Sequence, residues 1–347
     1  MDTWPALPWQ SSYHYKEKIK PLNLFYEEPD ADRWIWFDRY PRRWIRRIVR
    51  GKPRPGGQMM IAINLMKGLD KIGIPYRFND FQYIRKHPKE IACIIGKAQV
   101  FFENLWENPV LFGAGIYSHP LEYPELFKSY PNVRQLLVPG EWMRKMFEPY
   151  YGNKVISWPV GIDTECWKPF TDKKTVDFLI YYKIRWRQKE MDAELVDPIL
   201  NLLKGKNLSF QLVRYGNYTP EELLEKTKRS KAAIFLCEHE TQGLAYQQIL
   251  STNTPILAWD SEGYWQDPAY YPASVQYEPV SSVPYWDKRC GVKFKNGTDF
   301  EEKLKLFMQK KEAGQFSPRD YILENLTLEK CAEDYVRIYQ DVEQNLS

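Results

Sequence analysis

Apolar positions along this chain follow two alternating rhythms. Short apolar runs of strand length occur at 21–26 (PLNLFY), 74–79 (IPYRFN), 89–96 (KEIACIIG), 108–115 (NPVLFGAG), 133–140 (VRQLLVPG) and 154–162 (KVISWPVGI). Between them lie segments whose apolar residues recur at helical spacing. Met60, Ile63, Met66 and Leu69 share one helical face, and Gly73 stops that helix. Residues 141–152 (EWMRKMFEPYYG) give a second helix. A polar, proline-containing stretch at 166–174 (CWKPFTDKK) reads as a linker. The alternation then restarts, with strands predicted at 176–182, 208–216, 232–238 and 254–260 and helices at 191–205, 219–230 and 243–253. Thr219 is positioned to cap its helix, with Pro220 first and Glu222 three residues past the cap. The pattern predicts an α/β protein of two Rossmann-like domains with parallel sheets, facing each other across a cleft. Ligands of such sheets bind at the carboxyl ends of the strands.

Composition narrows the classes. The 347 residues, 44% hydrophobic, are enough for two cores. With 49 basic and 45 acidic residues the net charge is +4, which argues against a general nucleic-acid binder. Aromatic residues make up 16% of the chain, an excess that fits either a tyrosine-rich core or sugar rings stacking on aromatic faces. The five cysteines include no Cys-x-x-Cys pair, and Cys93 and Cys237 sit in apolar runs as buried thiols. A cytoplasmic location is expected, because the N-terminus lacks the apolar segment of a secretory signal and no run is long enough to span a bilayer. No His, Asp or Cys set has metal-ligand spacing and no Asp-x-Asp occurs, so neither a metal nor an organic cofactor is expected.

Chemistry concentrates in three segments. In the first, Glu238, His239 and Glu240 follow a strand, and Gln242, Gly243 and Leu244 lead into a helix. Free N–H groups at that helix start suit an anion or sugar hydroxyls. Glu240 can accept from two hydroxyls, and Gln248 lies two turns on, roughly on the same side. A surface acidic cluster beside an amphipathic helix fits the same spacing. In the second, Lys183, Arg185, Arg187 and Lys189 follow the strand at 176–182, where cations can neutralise a leaving diphosphate. Solvated surface charge is the alternative. In the third, Gly56 and Gly57 open a helix and can let a diphosphate approach its amides, or serve as a plain turn. His119, in the segment GIYSHPLEYPEL, and His239 are further polar candidates.

The order of these segments resembles family 4 retaining glycosyltransferases of the GT-B fold. That family's acidic motif has two glutamates separated by seven residues, with a glycine three after the first. Here Glu240 and Gly243 match, but Gln248 stands where the second, ribose-binding glutamate is expected. Thr254-Pro255-Ile256-Leu257 follows the helix as it does in the family. The basic loop of the family matches Lys183 and Lys189, with Arg185 competing for the first position. Pro159-Val160-Gly161-Ile162-Asp163 resembles the family's domain junction, with Gly161 permitting close backbone approach. The glycine-rich loop against the donor phosphates matches Gly56 and Gly57. His119 matches a histidine that hydrogen-bonds the donor sugar.

The resemblance implies an acceptor-side domain over 1–168, a nucleotide-sugar domain over 169–325 and a closing helix over 326–347 that returns to the first domain. It implies a retaining, metal-independent transfer from a UDP-, GDP- or dTDP-linked sugar to a glycan or lipid-linked acceptor, with no nucleic-acid partner. Two alternatives remain: a degenerate nucleotide- or glycan-binding protein, which Gln248 allows, and a sugar-nucleotide epimerase of the same fold. Finally, Arg39–Arg54 holds eight basic residues and no acid, with Trp44, Ile45, Ile48 and Val49 on one helical face. It can lie on an anionic leaflet, placing the protein peripherally on the inner face of a membrane. Packing of its apolar side into the first domain, with the arginines holding an acidic acceptor, is a second option, and an ordinary solvated face is the third.

Overall fold

The computed structural model describes residues 20–28 and 56–346. The basic segment Arg39–Arg54 lies outside these residues. The chain divides into two compact units. The first comprises the described residues up to Val138, with Phe147–Trp158 and the residues from Ala332 on; the second comprises Pro139–Met146 and Pro159–Cys331.

The first unit holds a six-stranded sheet of β1 (Leu22–Phe25), β2 (Tyr76–Phe78), β3 (Ala92–Ile94), β4 (Val110–Phe112), β5 (Val133–Val138) and β6 (Val155–Ser157), in the order β2-β1-β3-β4-β5-β6. Every pairing is parallel. The helix Gly57–Ile72 ends as its sequence dictates, with Gly73 in the left-handed region at φ 70°. Leu22, Leu24, Cys93 and Ile94 are fully buried, and Tyr335 of the helix Leu328–Gln344 packs edge-on to Trp158 at 5.0 Å.

The second unit holds β7 (Val176–Lys183), β8 (Phe210–Arg214), β9 (Ser230–Cys237), β10 (Ile256–Trp259) and β11 (Gly291–Phe294), all parallel, in the order β11-β10-β9-β7-β8. Alternate residues of β7 and β9 feed opposite cores. Leu179, Tyr181, Ala233 and Phe235 join Tyr246 and Leu250 on one face. Phe178, Ile180, Ile234 and Leu236 join Ile199 and Leu304 on the other. Burial on both faces explains why these strands read as continuous apolar runs. Two Rossmann-like α/β units are therefore present, a GT-B-like arrangement of elements.

Three local expectations are refined. Thr219 caps the helix Pro220–Arg229 by accepting from Glu222 N at 3.1 Å, but Glu222 turns to Lys226 at 2.8 Å and does not close a capping box. The segment 191–205 is not one α-helix. A π turn, Asp192–Val196, precedes the helix Asp197–Gly205, where Pro198 lacks the N–H that a continuous ladder needs. The spacing also gave no sign of β11, which follows a long aromatic segment without strands.

Candidate functional site

The chain runs from β7 outward to β8, then returns to place β9 on the other side of β7. The strand order therefore reverses between β7 and β9, and ligands of open parallel sheets bind at the carboxyl ends beside such a reversal. Lys183 ends β7 and sits in register with Cys237, which ends β9. Residues 184–189 and 238–243 follow these two strand ends.

Lys183 Nζ lies 2.6 Å from Glu240 Oε1, and the two side chains are only 12% and 10% exposed. The Tyr215 ring, 4.3 Å from Nζ, covers the ammonium from the β8 side. Burial alone would push the Lys183 ammonium down, but the Glu240 carboxylate outweighs it and the net direction is up. Glu240 is fixed through its backbone: its N–H donates to Ser281 O at 2.9 Å, and Trp142 Nε1 donates to its carbonyl at 2.8 Å.

His239 is buried among Trp186 at 5.2 Å, Trp142 at 5.8 Å and Trp265 at 6.3 Å between ring centroids. Gln266 N–H approaches Nε2 at 3.4 Å and Arg185 Nη2 approaches Nδ1 at 3.4 Å, so both ring nitrogens face donors. Burial, then the nearby Arg185 and Lys183, push its pKa down to about 3. It is a neutral, positioned group at ordinary pH. Arg185 stacks on Trp186 at 4.1 Å, and its Nη2 donates to His239 O at 3.4 Å. Lys189, on the short helix Gln188–Met191, is exposed and makes no ion pair among the described residues, whereas Arg187 pairs with Glu190.

Gly243 begins the helix Leu244–Ser251 at φ 76°, and a Cβ there would sit 2.1 Å from Tyr246 Cε1. The turn needs glycine for the packing of Tyr246 as well as for any ligand. Leu244 opens the helix half-buried. Gln242 is spent on structure: its Oε1 accepts from Val160 N at 3.0 Å, and its Nε2 donates to Val160 O and Gln247 Oε1. Gln248 is half-buried, with no hydrogen-bond partner among the described residues. Gly161 allows a close approach, and the approaching chain is Thr327–Leu328, whose Leu328 Cα would lie 2.6 Å from an added Cβ.

Three candidates belong to the first unit. Gly56 precedes the helix Gly57–Ile72, and an added Cβ at Gly56 or Gly57 would meet nothing within 4 Å among the described residues, so packing among these residues does not require either glycine. His119 is buried and caps the turn Pro120–Glu122, its Nδ1 accepting from Leu121 N at 3.1 Å. Burial pushes its pKa down to about 4. The structure thus gathers Lys183, Arg185, His239, Glu240 and Gly243 at one sheet end. Glu238, noted as an acid at a strand end, joins them, and the structure adds residues that spacing did not single out: Trp142, Tyr215 and Gln247. Among the described residues no group of three or more His, Cys, Asp or Glu side chains comes together as a metal cluster. No helix among them is long and apolar enough to cross a membrane.

Comparison with known proteins bears on the fold. No family model matches the sequence, and no curated protein matches it either. A solved sucrose-phosphate synthase from Thermosynechococcus elongatus is 11% identical, with 94% of this chain and 100% of that chain covered and a TM-score of 0.57. The accessory secretory protein 1, 2 and 3 structure from Streptococcus pneumoniae is 11% identical, covering 76% of this chain and 55% of that one, with a TM-score of 0.51. TarM is 15% identical, covering 74% of this chain and 57% of that one, with a TM-score of 0.48. The chain thus spans little more than half the length of the last two proteins. For the first two, at these identities, the likeness shows a shared GT-B-like fold.

Proposed function

We propose that this chain is a retaining, metal-independent glycosyltransferase that moves a sugar from a nucleoside-diphosphate donor to a glycan or lipid-linked acceptor. The observation that carries this reading is the contact between Lys183 and Glu240 at the strand-order reversal of the second unit. A cation for phosphate and a carboxylate for hydroxyls meet where such sheets bind ligands.

In this reading a domain over 169–325 holds the donor, one over 1–168 serves the acceptor, and the helix over 326–347 closes the chain. Lys183, Arg185 and Lys189 neutralise the diphosphate. Glu240 accepts from the sugar hydroxyls, and the helix start at Gly243 and Leu244 offers backbone N–H groups. Gln248 reaches the ribose through its amide, and neutral His239 and His119 contribute hydrogen bonds. Gly56 and Gly57 leave room for phosphate. The acceptor hydroxyl oxygen attacks the anomeric carbon on the face from which the diphosphate departs. The bond from the anomeric carbon to the phosphate oxygen breaks, and the leaving phosphate takes the acceptor's proton. The protein supplies positioning and positive charge instead of a side-chain base.

The test is turnover. The chain is incubated with UDP-, GDP- and dTDP-linked sugars and a panel of glycan and lipid-linked acceptors, and product is resolved with its anomeric configuration. Retained configuration in the product is expected. Inversion at the anomeric carbon would sink the retaining mechanism. Nucleotide binding without turnover would favour the second reading, a binding protein, for which Gln248 speaks by offering no carboxylate.

A further inference from the structure

We infer that Glu238 is the positioning residue of the cationic loop: it sets the backbone from which Arg185 and Lys189 meet a diphosphate. This rests on the donor-site reading above. Glu238 follows the last residue of β9 and is 6% exposed. Its Oε1 accepts from Arg185 N at 2.7 Å and from Trp186 N at 3.0 Å. These two amides lead out of β7 into the loop, so one buried oxygen fixes the turn at its first step. Arg185 then stacks on Trp186, and its guanidinium reaches the carbonyl of His239, the residue after Glu238. The loop is thereby tied to β9 twice, through backbone and through side chain.

The other carboxyl oxygen, Oε2, is buried without a hydrogen-bond partner among the described residues. A buried acceptor left unmatched is costly, and tightness of the fold alone does not call for a carboxyl group here. An amide oxygen would accept the same two N–H groups. The role assigned to Glu238 is therefore geometric, and it separates Glu238 from Glu240, whose carboxylate meets Lys183 directly.

Three proteins test this: wild type, Glu238→Ala and Glu238→Gln. Amide hydrogen exchange at residues 184–190 is measured together with affinities for UDP and for uridine. Loss of the acceptor in Glu238→Ala should speed exchange at Arg185 and Trp186 by about tenfold and weaken UDP by about tenfold, leaving uridine unchanged. Glu238→Gln should restore both. Wild-type exchange rates in Glu238→Ala would overturn the inference, and so would faster exchange with undiminished UDP affinity. If Glu238→Ala does not fold, Glu238→Gln decides: loop exchange faster than wild type overturns the role, and wild-type protection upholds it. If wild type binds none of UDP, GDP and dTDP while the exchange pattern follows expectation, the loop anchor stands and the donor-site reading falls.

Discussion

Lys183 and Glu240 form an ion pair at 2.6 Å with both side chains nearly sealed from solvent. Each is the main compensation for the other's buried charge. Removing one partner of a buried pair typically costs about 3–5 kcal/mol, because the survivor stays desolvated. Lys183→Met and Glu240→Gln should therefore each destabilise the protein strongly, and the double variant should lose less than the two losses added. A double-mutant cycle by denaturant unfolding measures this, with a coupling of about 2 kcal/mol or more expected. Additive losses would mean that the pair is not a unit.

Lys189 offers the complementary case. It is exposed and makes no ion pair among the described residues, so folding does not depend on its charge. Lys189→Ala should leave the unfolding midpoint unchanged. In the proposed reaction, removing one preorganised charge-stabilising group costs about 10²-fold in kcat. A steady-state comparison with the preferred donor checks this, and an unchanged kcat removes Lys189 from the reaction.

Much of this architecture was legible because its signals are local. Gly73 stops a helix through its own backbone, Thr219 caps one through its own side chain, and β7 and β9 announce burial on both faces by unbroken apolar runs. The rest depends on distant partners. Nothing around Trp142 foretells its bond to the carbonyl of Glu240. Gln247 and Gln248 are adjacent and chemically identical, yet Gln247 is buried against Gln242 while Gln248 has no side-chain hydrogen bond among the described residues. Glu238 and Glu240 are both strand-end acids, and only the fold assigns one to backbone amides and the other to Lys183. The strand β11 escaped notice because the segment before it carries no period. That segment is ordered by contacts such as Asp260 with Ser281, Ser282 and Lys293.

The glycines separate packing from function. Gly57 has open space around it among the described residues, so Gly57→Ala should be tolerated and should stabilise by about 0.5 kcal/mol through the unfolded chain. Gly243→Ala meets both a positive φ and the Tyr246 ring, and should destabilise by about 2 kcal/mol or more. Thermal unfolding of the two variants distinguishes these outcomes. If Gly57→Ala is as stable as expected yet weakens UDP binding, the glycine serves a ligand.

Acid should loosen the site through His239. Its pKa is about 3 in the folded protein against an ordinary value of 6.5. Above pH 6.5 the ring is neutral in both states and adds no pH dependence. Between pH 6.5 and 3 the unfolded chain takes up a proton that the folded protein refuses, so stability falls as pH falls. The linkage amounts to about 2 kcal/mol at pH 5 for one such histidine. Denaturant titrations at pH 7 and pH 5, followed by the fluorescence of the tryptophans around the ring, compare wild type with His239→Gln. The variant lacks the titrating group and should lose less stability between the two pH values, by about 2 kcal/mol. Equal losses in the two proteins would show that the acid sensitivity arises elsewhere, His119 being the next group to test because burial pushes its pKa down to about 4.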